Sequence, residues 1–446
     1  AQERSRPNLH GASEQGELVL LTGEGEAPWW IGHLTSGGTV SDADLAMVLG
    51  GLAVEDTGPE PGEMVSVNTE EFVDVLTQNL EGGAVTLATD GPDPDAMGVH
   101  LPLGLPPVFC SNDLSFLSAG DLDFYASVQK DGTGDVNAVA GWVGRAGLNA
   151  PADLANPTDP LFDVEAMLAV NPSPWGFGPD GSHVHIGDGS QEQGIAVGSR
   201  HGRTLVRADS VHLAGSSEDG GYAQIGFHVH SVGEEYTVTG PIDMNDLWGS
   251  CEGIAGSGND AYVQIGHGAR DANGVEPDGD LSGSIGLTVG DGVGFEGGGG
   301  SFAYARIGHG GAKCDGDRGG DITVEGEFVE FMGGEGSGAF AQIGHGGWDD
   351  DGTKSGTIDV IASGELPNGN GDDEDVEGVS LLFEAGTGDS SYAQLGHGGQ
   401  GADGDITGDI IVDAFLAVDT LEGPQPATPE DWLEVDLLDY VESFMP

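Results

Sequence analysis

A short phrase that carries a histidine between two glycines recurs along the second half of the chain. Because side chains alternate on an extended strand, each histidine should share a face with the preceding Ile or Leu, and the glutamines should lie on the opposite face. The copies occupy residues 184–189 (degenerate), 222–228, 262–268, 304–311, 340–347 and 392–399. The repeated polar residues are His267, His309, His345 and His397, with Gln224, Gln264, Gln342 and Gln394.

Two kinds of chemistry fit a column of histidines. Imidazoles brought together by repetition could bind a metal ion. Alternatively, each ring hydrogen-bonds the turn backbone of its own or the next coil, which would satisfy polar groups at a buried corner. No cysteine or carboxylate accompanies the histidines at tight spacing, and this favours a structural ladder. The glutamines similarly predict a ladder of side-chain hydrogen bonds.

A second phrase, Asp-Gly-Asp/Thr-x-x-Gly-x-Ile, accompanies the first and offers oxygen ligands. Two carboxylates at i and i+2 around a glycine resemble the start of a calcium loop, although the bidentate glutamate of such a loop is missing. Asp and Gly also simply favour tight turns, and this interpretation is the stronger one. If each repeat were two coils, equivalent aspartates would lie ~10 Å apart and could not share one ion. The calcium candidates are Asp278, Asp280, Asp315, Asp317, Asp351, Asp403 and Asp405.

The spacing of the two phrases predicts the fold. The markers Ile186, Ile225, Ile265, Ile307, Ile343 and Leu395 are 39, 40, 42, 36 and 52 residues apart. A recurring period in this range is typical of stacked repeats. Short apolar runs bounded by Gly and Asp favour three strands per repeat. We therefore expect an all-β chain folded as a right-handed parallel β-helix, or β-solenoid.

The regions outside the repeats complete the predicted organisation. Residues 1–110 should form N-terminal coils with a capping helix at 68–80 and a proline-rich loop at 91–109. Residues 111–181 should continue the solenoid and include a long loop excursion. The repeats occupy 182–418, and a linker and apolar tail occupy 419–446. The tail, which we expect to cap the solenoid or connect subunits, contains Trp432, Leu433, Leu437, Leu438, Tyr440 and Phe444.

Composition restricts the partners. The 446 residues include 82 glycines, and 12 basic against 76 acidic residues give a formal net charge of −64. Such a field repels nucleic acid and anionic membranes. It is compatible with cation binding, with a salty habitat or with solubility. No apolar run approaches the ~18 residues of a membrane span.

The cysteines and the first residues bear on the cellular compartment. Three cysteines are present, and Cys251 and Cys314 lie in neighbouring repeats, where they could form a disulfide or remain free buried thiols. The first residues, Ala1-Gln2, would suit a mature product whose signal peptide has been removed.

No catalytic constellation is recognisable in the sequence. There is no Gly-x-Ser-x-Gly elbow, no His-Glu-x-x-His and no phosphate loop ending in Gly-Lys-Ser/Thr. We therefore expect the protein not to be an enzyme and to need no cofactor other than calcium.

Several segments resemble filamentous-haemagglutinin-type secreted proteins of bacteria. They are LDFYASVQ at 122–129, the glycine turns at 132–134 and 140–142, the stretches 186–189 and 196–200, and the AQIGHGG repeats. The resemblance implies a right-handed parallel β-helix at the cell surface or beyond, in a structural or adhesive role.

The sequence thus predicts a structural, extracellular protein that assembles with copies of itself into a fibre or surface layer. A calcium-dependent adhesin that binds a surface glycan or another cell-surface ligand is one alternative. A polysaccharide-active lyase or hydrolase is the other.

Overall fold

The protein is an all-β solenoid in every part that the computed structural model describes. These parts are residues 113–118, 121–125, 127–141, 182–187, 189, 194–229, 236–268, 279–364 and 380–414, with strands also at 18–20, 65–66, 85–88 and 99–101. All strand pairs among them are parallel, and none of these residues is helical. No helix in these ranges is long and apolar enough to cross a lipid bilayer.

The strands are short and separated by glycine- and aspartate-rich corners. In chain order they are β1 (Leu18–Leu20), β2 (Val65–Ser66), β3 (Val85–Ala88), β4 (Val99–Leu101), β5 (Leu114–Ser118), β6 (Leu122–Phe124), β7 (Val128–Lys130), β8 (Val136–Ala140), β9 (His183–Ile186), β10 (Ile195–Ser199), β11 (Thr204–Arg207), β12 (Ser210–Ala214), β13 (Tyr222–Ile225), β14 (Tyr236–Val238), β15 (Ile242–Leu247), β16 (Cys251–Ile254), β17 (Tyr262–Ile265), β18 (Gly279–Ser282), β19 (Ile285–Val289), β20 (Gly292–Glu296), β21 (Tyr304–Ile307), β22 (Arg318–Gly319), β23 (Ile322–Gly326), β24 (Phe328–Met332), β25 (Phe340–Ile343), β26 (Lys354–Ser355), β27 (Ile358–Ala362), β28 (Leu381–Glu384), β29 (Tyr392–Leu395), β30 (Ile406–Thr407) and β31 (Ile410–Ala414).

The strands stack into four parallel sheets, and a full coil contributes one strand to each. Sheet 1 runs β1-β3-β5-β8-β11-β15-β19-β23-β27-β31, and sheet 2 runs β2-β4-β6-β9-β12-β16-β20-β24-β28. Sheet 3 runs β7-β10-β13-β17-β21-β25-β29, and sheet 4 runs β14-β18-β22-β26-β30. The predicted parallel β-solenoid is therefore confirmed. Each repeat has a fourth strand, in sheet 4, that the three-strand prediction missed because it is only two to four residues long.

One sequence repeat corresponds to one coil. Tyr262 is the direct register partner of both Tyr222 and Tyr304, and Ile322 is the direct partner of Ile285 and Ile358. A reading of the repeat as two coils is therefore wrong. Equivalent side chains in successive repeats lie one strand spacing apart, ~4.8 Å, and this closeness allows them to form columns.

From β15 to β27, sheets 1 and 2 bury one face, whereas sheet 3 buries both faces from β13 to β25. Ile285, Leu287 and Val289 alternate buried with half-exposed neighbours on β19, while all four residues of β21 are buried. The inward residues of the sheets form the main core. On the other face of sheet 3, aromatic rings stack 4.7 to 5.0 Å apart and within 11° of parallel. This column consists of Tyr222, Tyr262, Tyr304, Phe340 and Tyr392.

The stretch 184–189 is not the first copy of the histidine phrase. Its strand β9 belongs to sheet 2, where it pairs with β6 and β12. The sheet 3 strand of that coil is β10, whose Val197 is in register with Ile225. Half-exposed and buried residues alternate on β9, as on a strand with one buried face. The stretch resembles the repeat only because it is also a strand that ends at a glycine corner.

Three other predicted features differ from the structure or lie outside the described residues. The proline-rich stretch 91–109 contains β4, because Val99-His100-Leu101 pairs with β2 and β6 between its prolines. The helix predicted at 68–80 and the tail at 419–446 lie outside the described residues.

On either side of residues 142–181, β8 pairs with β11 and β6 pairs with β9. The solenoid therefore continues across that segment.

Candidate functional site

The repeated histidines form one stacked column at the corner that follows sheet 3. Their ring centroids are 4.8 to 4.9 Å apart and their planes are within 6° of parallel, from His267 through His309 and His345 to His397. The glycine before each histidine makes this packing feasible. Gly308 has φ +150°, and a Cβ there would lie 2.0 Å from the carbonyl oxygen of Gly344. Only glycine allows successive coils to approach this closely.

Both nitrogens of each ring bind backbone groups. The N–H of His267 donates to Nδ1 of His309 at 2.9 Å, and Nε2 of His309 donates to the carbonyl oxygen of Gly283 at 2.8 Å. A backbone N–H can only donate and a carbonyl can only accept, so the proton must sit on Nε2. The same pattern recurs at His345 and His397.

Burial keeps these rings neutral. It lowers the pKa of His267 to about 4 and that of His345 to about 3, despite the opposing effect of the hydrogen bond to a backbone carbonyl. Burial also lowers the pKa of His309 and His397 below the usual value. With both nitrogens of each ring hydrogen-bonded, the column acts as a structural ladder and offers no lone pair to a metal.

The glutamines bind the glycine corners from the other face of sheet 3. Nε2 of Gln264 donates to the carbonyl oxygen of Gly308 at 2.8 Å, and Nε2 of Gln224 donates to that of Gly266 at 2.8 Å. Gln342 and Gln394 also donate to glycine carbonyls. The hydrogen bonds of the predicted glutamine ladder therefore run from side chain to backbone. Arg306 replaces glutamine in one coil, and among the described residues its buried guanidinium nitrogens have no hydrogen-bond partner.

The aspartate turns use carboxylates to pair backbone donors of the next coil. Oδ1 of Asp280 accepts from the N–H of Asp317 at 3.0 Å, and Oδ1 of Asp317 accepts from the N–H of Thr353 at 2.9 Å. Asp403 differs, because its Oδ1 accepts from the N–H of Gly404 in its own turn at 2.8 Å. The carboxylates thus cap the ends of short strands, a role for which one oxygen is enough.

Basic side chains occupy the inner side of the same turns. Nζ of Lys354 donates to the carbonyl oxygens of Asp350, Gly352 and Asp403, the last two at 2.8 Å. Arg318 donates to the carbonyl oxygen of Asp315 at 3.1 Å. Such a cage of carbonyl oxygens is what a bound calcium would need, and here ammonium and guanidinium groups fill it.

The buried cations share one carboxylate. Oδ2 of Asp350 lies 3.4 Å from Nε of Arg318, and Oδ1 lies 3.4 Å from Nζ of Lys354. All three side chains are at most 1% exposed. Removal of Asp350 would leave two buried cations without a counter-charge, whereas removal of Lys354 would leave three carbonyl oxygens without the donor that they share.

The remaining predicted residues have simpler positions. Asp315, Asp351 and Asp405 contribute backbone groups to the pairing of coils, and Asp278 lies outside the described residues. Of the two alternatives that the sequence left open for Cys251 and Cys314, the structure has the buried thiols, and the two residues do not form a disulfide with each other. Cys251 faces the main core and Cys314 faces a separate apolar cluster beside sheet 4. Burial raises the pKa of the Cys314 thiol to about 12.

A second group of histidines, which the sequence interpretation missed, lies on the outer face of sheet 2. His183, His185 and His212 each have a ring nitrogen within 4.8 Å of those of the other two. In the part of the chain that the structure describes, the aspartates of the turns form no such group of three. Burial and the neighbouring His185 lower the pKa of His212. The sequence signal for this group is the alternation His183-x-His185. It is missed when residues 184–189 are assigned to the repeat phrase.

Comparison with known proteins gives no match to a family model, a curated protein or a solved structure. The side chains of this chain are therefore the basis for any functional inference.

Proposed function

We propose that this protein is a structural β-solenoid that assembles end to end into an extracellular fibre or surface layer. The supporting observation is the exposure, in the last described coil, of the column of isoleucines that sheet 1 contributes to the core. Ile285, Ile322 and Ile358 are buried to within 1% exposure, and their register partner Ile410 is 48% exposed. Within the residues that the structure describes, the column that holds the solenoid together thus ends at an apolar surface.

The neighbouring columns end in the same coil. Ile406, in register with the buried Lys354, is 58% exposed. Tyr392 and His397 are the last members of the aromatic and histidine columns. An open solenoid end carries unpaired strand edges as well as apolar side chains, and such edges favour pairing with another chain.

A second copy of this chain is the occupant that we propose for this end. All the strands run parallel, so a second copy stacked on the last described coil would meet the edges of β28, β29, β30 and β31 with strands of the same direction. Head-to-tail contact would continue each sheet in the same direction and give a filament, since the operation does not close on itself.

The charge of the chain determines the conditions for assembly. At a net charge of −64, copies repel one another at low ionic strength. Salt shortens the range of this repulsion to about 8–10 Å at physiological concentration. We therefore expect assembly to increase with ionic strength, whichever cation supplies it.

Sedimentation velocity on two matched variants tests the proposal. Ile410→Glu places a charge on the open end, whereas Ile254→Glu places one at a 58% exposed position on the side of sheet 2. We expect Ile410→Glu to remain monomeric and Ile254→Glu to assemble like the unchanged protein. Equal assembly by all three proteins would rule out this end as the contact.

Deletion of residues 424–446 examines the apolar tail separately. As a connector between copies, the tail should be required for polymers, so we expect the truncated chain to remain monomeric. Polymers of normal order would show that the tail is not the connector. A glycan turnover screen addresses the lyase or hydrolase alternative, for which sustained release of reducing ends would be the supporting result.

A further inference from the structure

The outer face of sheet 2 carries a row of four polar side chains. The register of β6, β9, β12 and β16 aligns Asp123, His185, His212 and Glu252. His183 precedes His185 by two residues and therefore lies on the same face. Three imidazoles from two adjacent strands thus meet on one rigid surface, between two carboxylates.

These three rings differ from the stacked histidine ladder in their orientation. Their planes are inclined to one another by 51° to 72°, whereas the rings of the ladder are within 6° of parallel. Parallel rings cannot direct their lone pairs to a common point. Rings inclined to one another can direct their nitrogen lone pairs to a common point.

Two ring nitrogens of the cluster have no hydrogen bond. Nδ1 of His183 and Nε2 of His185 are buried and have no partner among the described residues. Buried polar atoms are nearly always paired, so each unpaired one requires an explanation. In the ladder, by contrast, a backbone group satisfies every ring nitrogen of His309 and His345.

We propose that His183, His185 and His212 bind a divalent transition-metal cation of the zinc class. Imidazole nitrogen suits Zn²⁺, Ni²⁺ and Cu²⁺, whereas Ca²⁺ and Mg²⁺ prefer oxygen. Tetrahedral zinc places its nitrogen ligands about 3.3 Å apart. The ligand atoms of the cluster lie within 4.8 Å of one another. A rotation of each half-exposed ring that moves its nitrogen by about 1 Å brings these atoms to the distance that zinc requires.

The flanking carboxylates are placed to orient two of the rings. Oδ1 of Asp123 is 3.8 Å from Nδ1 of His185, and Oε2 of Glu252 is 3.5 Å from Nδ1 of His212. A carboxylate at Nδ1 favours a proton there and leaves Nε2 free for the metal. Three protein nitrogens leave a fourth position for water or for a donor from another molecule.

Zinc titration of the full chain, after removal of metal with a chelator, tests the site. The buffer contains excess CaCl₂ and high salt, because 76 acidic residues would otherwise bind cations weakly. By calorimetry we expect one zinc per chain. The absorption of Co²⁺ bound in place of zinc should report a tetrahedral nitrogen-rich site.

Variants distinguish the cluster from other zinc binding. His212→Ala should weaken zinc affinity at least about 100-fold, and Glu252→Gln about tenfold. His201→Ala should leave affinity unchanged, because His201 lies outside the cluster. His183→Asn provides a second ligand variant, and thermal melting establishes that each variant is folded. An absence of zinc binding under excess calcium, or equal affinity in His212→Ala, His183→Asn and the unchanged protein, would overturn the proposal.

Discussion

The backbone N–H of His309 donates a hydrogen bond to Nδ1 of His345, 3.0 Å away in the next coil. The same bond joins His267 to His309 and His345 to His397. Nδ1 of each ring therefore accepts a hydrogen bond from the backbone N–H of the histidine in the preceding coil. Successive coils cannot slip in register without breaking these bonds, so the column fixes the alignment of the repeats.

The ladder predicts a loss of stability in acid. His345 has a pKa of about 3 in the folded chain and about 6.5 when unfolded. Between these values the unfolded state binds more protons, so the stabilisation is complete above pH 6.5 and falls as the pH decreases. The loss amounts to about 1.4 kcal/mol for each pH unit.

Comparison with His345→Phe isolates this contribution from the titration of the many carboxylates. The variant leaves one buried N–H and one buried carbonyl unpaired, so we expect a loss of about 2–4 kcal/mol at pH 7.5. That difference should shrink by about 2–3 kcal/mol at pH 4.5, as measured by urea unfolding. A difference that is constant with pH would contradict a neutral, buried ring.

The buried charge cluster predicts unequal effects for two lysines. Lys354→Met removes the donor that three carbonyl oxygens of the turns share, and we expect a loss of about 3–5 kcal/mol in the free energy of unfolding. Lys313 lies 4.9 Å from the ring of Trp348 as a partly exposed cation. Its matched change, Lys313→Met, should cost about 1 kcal/mol or less. Similar losses for both variants in urea unfolding would argue against the proposed role of Lys354.

The aspartate caps predict that charge matters less than the oxygen acceptor. Asp317→Asn keeps an acceptor for the N–H of Thr353, whereas Asp317→Ala removes it. We expect the alanine variant to lose about 1 kcal/mol and the asparagine variant to lose less. Thermal melting of both variants provides the measurement, and equal losses would indicate that the negative charge is what the turn requires.

The response to salt separates screening from specific calcium binding. A chain with net charge −64 should become more stable as ionic strength rises, since self-repulsion weakens. We expect NaCl and CaCl₂ at equal ionic strength to raise the melting temperature similarly. A rise with millimolar calcium that sodium does not reproduce would instead favour ion binding at the Asp turns.

The repeats made the solenoid predictable because each coil places the same residue types in the same column. The marker Ile residues and the phrase around His309 predicted the strand positions of sheet 3. Sheet 4 was missed, since a strand as short as β22 has too few residues to show alternation. The length of a coil was also unresolved, because periodicity alone does not state how many strands one turn contains.

The chemistry of individual columns was less predictable. Arg318 and Lys354 donate to carbonyl oxygens inside the turns, and nothing in the Asp-Gly-Asp phrase shows that their side chains are buried there. The cluster of His183, His185 and His212 depends on the register of β9 with β12. That register follows from three-dimensional pairing, so the sequence showed only two alternating histidines.

Electron microscopy of the purified protein at physiological salt tests end-to-end assembly most directly. The account predicts filaments one solenoid wide, both with calcium and with a chelator, and their loss in Ile410→Glu. Dispersed single rods of the unchanged protein under both conditions would contradict it.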